Sequence, residues 1–129
     1  MKKDYIFYVY ILSNYERTTF YIGFTNDIIR RMIEHKNGRG SVFTSKYKLS
    51  FLVYYEEYQY ANDAISREKE LKGWLRKKKI ELIKSVNPTM EDLSQELFKI
   101  YQIDEEEMKA ILNNIKDSSP FRVQNDKYI

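Results

Sequence analysis

The stretch Tyr5-Ile6-Phe7-Tyr8-Val9-Tyr10-Ile11-Leu12, followed after a polar break by Thr18-Thr19-Phe20-Tyr21-Ile22-Gly23-Phe24, decides the fold. The first run is wholly apolar or aromatic and rich in residues that suit a pleated surface, so it reads as a strand. Asn14-Tyr15-Glu16-Arg17 interrupts it, and the second run has the same character, which predicts a hairpin. Pairing Tyr10 with Tyr21 sets Leu12 opposite Thr19 and centres the turn on Tyr15-Glu16. Directly opposed residues of an antiparallel pair point to one face, so this register stands two phenols side by side. On strand propensity alone the same tyrosines serve equally well as packing residues.

Working outward, Thr25-Asn26-Asp27 supplies N-cap residues for a helix reaching about Lys36. Ile29, Met32 and Ile33 follow the spacing of a core face, and Arg31 and His35, one turn apart, share the neighbouring stripe. An arginine above a histidine can clamp a phosphate, the guanidinium offering a planar donor fork and the imidazole a further donor or acid, although on spacing alone the two are more commonly an exposed pair on a surface helix. Residues 37–46, from Asn37-Gly38-Arg39-Gly40-Ser41 through Thr44-Ser45-Lys46, are expected as a loop, and Leu49 to Glu57 as a third strand. Asn62 or Asp63 is expected to cap a helix running to about Trp74. A second short helix covers Arg76 to Val86 and ends at Asn87-Pro88. Two more helices, roughly Glu91 to Tyr101 and Asp104 to Ile115, precede a loose end over the last dozen residues. The order predicts an α+β fold: a small three-stranded, mainly antiparallel sheet flanked by helices, with a C-terminal helical tail. No glycine-rich phosphate loop of the dinucleotide or Walker type is present.

The second long helix holds one anomaly. At about 100° per residue, Ala64, Glu68, Leu71 and Leu75 fall on one stripe with Ile65 nearby, so a carboxylate lies among apolar side chains. A lone buried carboxylate is costly and requires a partner. Glu68 is therefore either the ion-pair partner of a core arginine or a metal ligand at the mouth of a site.

The 129-residue chain fits one domain with a short appendage: residues 1–86, and an acidic helical extension over 87–129. Its net charge of +3 conceals an asymmetry, with 17 Lys/Arg against 10 Asp/Glu in residues 1–86 and 5 against 9 in residues 87–129. A basic body points to a polyanion partner. Arg30, Lys72, Arg76, Lys77, Lys78 and Lys79 are candidates for contacts to a nucleic-acid backbone, and the acidic tail for contact with a protein partner. The absence of cysteine excludes disulfides and thiolate metal sites. No secretory leader is read at the start, and no apolar run approaches the ~20 residues that span a bilayer, so no membrane contact and a cytoplasmic location are expected.

Together these parts resemble the GIY-YIG nuclease superfamily, most closely its small single-domain members, which are similar to the N-terminal nuclease domain of UvrC. The carrying segments are Tyr8-Val9-Tyr10-Ile11-Leu12, with Tyr8 where the family has its first glycine, and Tyr21-Ile22-Gly23-Phe24-Thr25. Asp27-Ile28-Ile29-Arg30-Arg31 through His35 follows, then Ala64 to Lys72, and Asn87-Pro88 with Asp92-Leu93. The likeness spans residues 5–93. It implies a DNA endonuclease hydrolysing phosphodiesters, with Tyr10, Tyr21, Arg31, His35 and Glu68 as its site and one Mg²⁺ or Mn²⁺ held by Glu68 and water. Tyr10 would be the general base, Tyr21 would orient the nucleophile or share its proton, and Arg31 would hold the phosphate. His35 would donate to that phosphate or relay a proton. Asn87 is the weaker candidate for a further late polar residue. A nucleic-acid-binding module of the same fold, with little cleavage of its own, is the alternative.

Overall fold

A computed structural model describes residues 6–116. Tyr5, with which the first strand was expected to begin, and the last dozen residues lie outside them. Three antiparallel strands, β1 (Phe7–Ser13), β2 (Phe20–Thr25) and β3 (Phe51–Tyr58), form one sheet in the order β2-β1-β3, so the first strand is central. The helices are α1 (Ile28–Lys36), α2 (Val42–Lys46), α3 (Ala61–Lys72), α4 (Arg76–Val86), α5 (Ser94–Ile100) and α6 (Glu105–Lys116). The expected α+β architecture is the observed one.

Alternation along β1 sorts the molecule into two layers. Tyr8, Tyr10 and Leu12, with Tyr21 of β2, face α1, and Leu97, Phe98, Met108, Ile111 and Leu112 of the tail helices pack into that layer. Val9 and Ile11, with Ile22, face Ala64 and Leu71 of α3 and Ile80 and Ile83 of α4. Both layers are apolar against a sheet only three strands wide, so the central strand is almost wholly buried.

The hairpin register differs from the expected one. Tyr10 pairs with Gly23 and Leu12 with Tyr21, two residues from the Tyr10–Tyr21 pairing. The cause is the turn. The Asn14 side-chain carbonyl accepts from the Thr18 and Thr19 amides, and Arg17 takes a left-handed φ of 61°, closing a longer loop than one centred on Tyr15-Glu16. A slip of two preserves the face, so both phenols still point toward α1.

Asp27 caps α1, its carboxylate accepting from the Arg30 amide, as expected. The expected loop over residues 37–46 contains α2, whose N-cap Ser41 accepts from the Thr44 amide. Neither Asn62 nor Asp63 caps α3: the helix begins after Tyr60 without a side-chain cap. It also ends at Lys72 rather than Trp74, with Gly73 at its C-cap. Leu75 consequently leaves the inner stripe and is 80% exposed. The fifth helix is shorter than expected, because Asp92 accepts from the Leu52 and Ser94 amides and ties the preceding segment to β3.

Candidate active site

Two strands and one helix bring four of the five expected residues together. Tyr10 and Tyr21 stand diagonally on the α1 face of the hairpin, with ring centroids 6.4 Å apart. Arg31 and His35 project onto the same face from α1, a nine-residue helix of which seven residues are buried. Arg31 Nε donates to the Tyr10 hydroxyl at 3.3 Å, and the same hydroxyl lies 3.2 Å from His35 Nε2. The His35 ring also contacts the Tyr21 ring at 6.0 Å. Residue exposures are 0% for Tyr10, 1% for Tyr21, 6% for Arg31 and 5% for His35, so the spacing that suggested a stripe beside the core describes residues inside it.

Arg31 is held from three sides. One terminal nitrogen donates to the Glu34 carboxylate at 2.6 Å, the other to the Gly40 carbonyl at 3.3 Å, and Nε to Tyr10. Burial opposes its charge, but the Tyr10 oxygen and the Glu34 carboxylate outweigh that penalty and move its pKa upward. Glu34 is itself buried and lies 3.6 Å from Arg30 Nε. Arg30 is thus occupied on α1 as well as being a candidate backbone contact.

The imidazole of His35 is pushed the other way. Burial, then the positive charges of Arg31 and Lys36, hold its pKa well below the ordinary 6.5. It is neutral at physiological pH, so one ring nitrogen carries a proton and the other is an acceptor. Its Nδ1 lies 3.2 Å from Thr44 Oγ1, which in turn lies 2.9 Å from Ser41 Oγ.

Two glycines make room for this cluster. A Cβ on Gly23 would sit 2.4 Å from Tyr10 Cζ and hydroxyl, and a Cβ on Gly40 would sit 2.0 Å from His35 Nδ1. Each site ring therefore lies directly on backbone that no other residue could provide without displacing it. Gly40, Ser41, Thr44 and Glu34 were not singled out from sequence. The Ser41-to-Thr44 spacing carries an N-cap signal; the packing of Gly40 beneath a ring carries none.

Glu68 stands elsewhere. It occupies the inner stripe of α3 between Ala64 and Leu71, in the layer opposite α1, and is buried as the stripe predicted. Its ion-pair partner is Lys72 on the next turn, at 3.1 Å, not a core arginine. That contact is close but poorly aligned, and Glu68 Oε2 is buried without a well-formed hydrogen bond. A carboxylate oxygen with spare lone pairs can serve as one ligand of a divalent ion, which would displace the Lys72 ammonium from it. Among the described residues no three His, Cys, Asp or Glu side chains cluster.

Lys72 and the α4 cations Arg76, Lys77, Lys78 and Lys79 share the layer of Glu68. Arg76 and Lys78 lie over the rings of Phe20 and Trp74, at 5.5 and 4.1 Å from their centroids. Asn87 is buried and committed to backbone. It donates to the Val53 and Glu91 carbonyls and accepts from the Glu91 amide, which fixes the turn after α4.

The GIY-YIG catalytic domain family matches residues 6–81, more than half of the chain. The chain belongs to the GIY-YIG family. The hairpin, α1, α2, β3, α3 and the start of α4 all fall within the matched span, so the GIY-YIG unit contains all five expected site residues. The UPF0213 protein SSP2268 of Staphylococcus saprophyticus is 37% identical over 76 residues, 59% of this chain and 92% of that protein. The UPF0213 proteins of Staphylococcus aureus strains Mu3 and Mu50 are 38% identical over 64 residues, 50% of this chain and 78% of theirs. No solved structure matches the chain. No helix among the described residues is long and apolar enough to cross a membrane.

Proposed function

We propose that this GIY-YIG protein is a metal-dependent endonuclease that hydrolyses phosphodiester bonds in DNA. Residues 1–86 are its cutting unit and residues 87–129 an acidic appendage open to a protein partner. The observation that carries the reading is the Tyr10 hydroxyl, set between a guanidinium donor and a neutral imidazole. A phenol in that position can pass its proton to His35 Nε2 while Arg31 stabilises the phenolate, whose negative charge offsets the burial and the cations that otherwise keep the imidazole neutral. The phenolate then takes a proton from a water whose oxygen attacks phosphorus, the P–O bond to the leaving sugar oxygen breaks, and that oxygen takes the proton carried by His35, which returns the imidazole to neutral. Tyr21, packed against both rings, orients the attacking water. Arg31 also faces the phosphate with its positive charge.

A Mg²⁺ or Mn²⁺ ion held by Glu68 would supply charge neutralisation at the leaving oxygen and the phosphoryl group. Glu68 and the Tyr10 cluster occupy opposite layers, but β2 is an edge strand and α3 packs across β1 and β2. For one scissile phosphate to meet both, that edge has to open. The four cluster residues are buried in this conformation, so engagement of the phosphate requires an opening above them.

The test is cleavage of single strands, duplexes, flaps and junctions with Mn²⁺, Mg²⁺ or EDTA. Glu68→Gln should lose metal-dependent cleavage and Tyr10→Phe should lose cleavage while still binding DNA. Full activity in both variants would sink the assignment. Binding in EDTA with no cleavage in either metal would instead favour a binding module of the same fold.

A further inference from the structure

The sequence placed the backbone-binding cations mainly on α4, yet α4 belongs to the layer away from Tyr10, Tyr21, Arg31 and His35. The site's own layer has a different basic surface. Between Glu34 and Glu56 the chain contains no carboxylate and four cations, Lys36, Arg39, Lys46 and Lys48. Lys36 is consumed by Asp92 and the Ser50 carbonyl, which leaves Arg39, Lys46 and Lys48 exposed around α2.

Aromatic rings run from the site to this surface. Tyr21 contacts Phe43 at 6.3 Å, and Phe43 contacts Tyr47 at 4.8 Å. Exposure rises along that line from 1% at Tyr21 to 44% at Tyr47, with Val42 beside it 78% exposed. Lys46 Nζ lies 5.4 Å from the Tyr47 ring centroid. α2 is also anchored to the cluster through Thr44 and His35, so whatever rests on Tyr47 is held at a fixed distance from Tyr10 and Tyr21.

We propose that residues 39–48 form a ledge for an unpaired nucleotide strand beside the cleavage site. The Tyr47 ring stacks a base, and Arg39, Lys46 and Lys48 hold the flanking phosphates. The reasoning is one of complementarity. An uninterrupted positive segment suits phosphates, whereas an exposed aromatic adds affinity only for a base whose face is not already stacked in a duplex. This substrate class rests on the nuclease reading for its purpose but not for its test.

The measurement is fluorescence anisotropy of the full chain in EDTA, with a labelled oligothymidine and a blunt DNA hairpin as probes. Tyr47→Ala should weaken oligothymidine binding about tenfold and leave the hairpin unchanged, while Tyr47→Phe should bind as the parent does. Tyr47→Leu preserves an apolar contact with Phe43 but offers no ring, and should behave as Tyr47→Ala even if the alanine variant folds poorly. Arg39→Gln with Lys46→Gln should weaken both probes and lower the salt slope by about one to two. Wild-type binding of oligothymidine by Tyr47→Leu, an equal loss on the hairpin, or no oligothymidine binding by the parent chain would overturn the ledge. Strand binding without cleavage in Mn²⁺ would sink the nuclease reading and leave the ledge standing; cleavage with an unaffected Tyr47→Leu would do the reverse.

Discussion

Thr44→Val removes one oxygen and little volume, and the structure says which group suffers. The Thr44 hydroxyl meets His35 Nδ1 at 3.2 Å, Ser41 Oγ at 2.9 Å and the Ser41 carbonyl at 3.4 Å. Ser41 Oγ keeps the Thr44 amide after the change, so the group left buried and unpaired is His35 Nδ1. An orphaned buried nitrogen costs about 1–3 kcal/mol. At about 4 °C per kcal/mol for a chain of this size, the melting temperature should fall by about 4–12 °C.

The effect on chemistry has a separate origin. If Tyr10 is to give its proton to Nε2, the imidazole must carry its own proton on Nδ1, where Thr44 Oγ1 receives it. Without that oxygen the ring is free to take the other tautomer or to tilt, and the Tyr10–His35 pair loses its alignment. The expected result is a fall in kcat of about ten- to a hundredfold with KM little changed, because buried Thr44 is a positioning residue and does not touch substrate. Thr44→Ser should restore both rate and stability. Single-turnover cleavage across pH, run beside calorimetry, separates the two effects. A Thr44→Val protein that melts early but turns over at the parent rate, with the parent pH profile, would refute the proton path and leave Thr44 a structural residue of α2.

Gly23→Ala should abolish cleavage and lower the melting temperature, since its Cβ would sit 2.4 Å from the Tyr10 phenol and buried rings cannot give way cheaply; an active, stable Gly23→Ala would show that Tyr10 can move without consequence. Asn87→Ala should cost about 2–4 kcal/mol in urea melts, because two carbonyls and one amide lose their partner, while the folded fraction cuts at the parent rate. His35 makes stability pH-dependent in a defined sense. Its folded pKa is depressed, so below pH 6.5 the unfolded chain binds a proton that the folded chain refuses, and this contribution to stability is lost as pH falls from 6.5 toward the folded value. Urea melts should show an added slope of up to about 1.4 kcal/mol per pH unit there, absent in His35→Gln; an identical slope in both would assign it to other groups.

What was legible in the sequence follows from what each signal can encode. Period two encodes the face of residues within one strand, and the assumed Tyr10–Tyr21 pairing, wrong by two residues, still set both phenols on one face. The period does not encode register, because a slip of two leaves every side chain where it was. The information that fixes the register lies in Gly23, whose missing Cβ accepts the Tyr10 ring, and in Asn14, whose side chain closes the longer turn. The cap of α1 and the end of α4 were readable because Asp27 and Asn87-Pro88 are local signals. The burial of Arg31 and His35 was not. Whether a stripe beside a core face is covered depends on what lies over it, and here the sheet, α2 and the tail helices enclose α1 from several directions.

Glu68 shows the same division between local and tertiary information. The 100° wheel identified the carboxylate among Ala64 and Leu71 but carried the stripe one turn too far, since Gly73 ends the helix before Leu75. Nor could it choose between a core arginine and a metal. Arg31 is engaged by Glu34 on α1, and Glu68 faces Lys72 across a single turn. Burying two charges consumes much of their attraction, and at Arg31 the Tyr10 and Glu34 oxygens outweigh that cost. Glu68–Lys72 is the less well made, as its misaligned contact leaves a carboxylate oxygen inside the protein without a good hydrogen bond. A chain under selection for stability alone has no reason to keep that arrangement in the middle of an apolar stripe. It has one if the oxygen is needed for a cation in the working state.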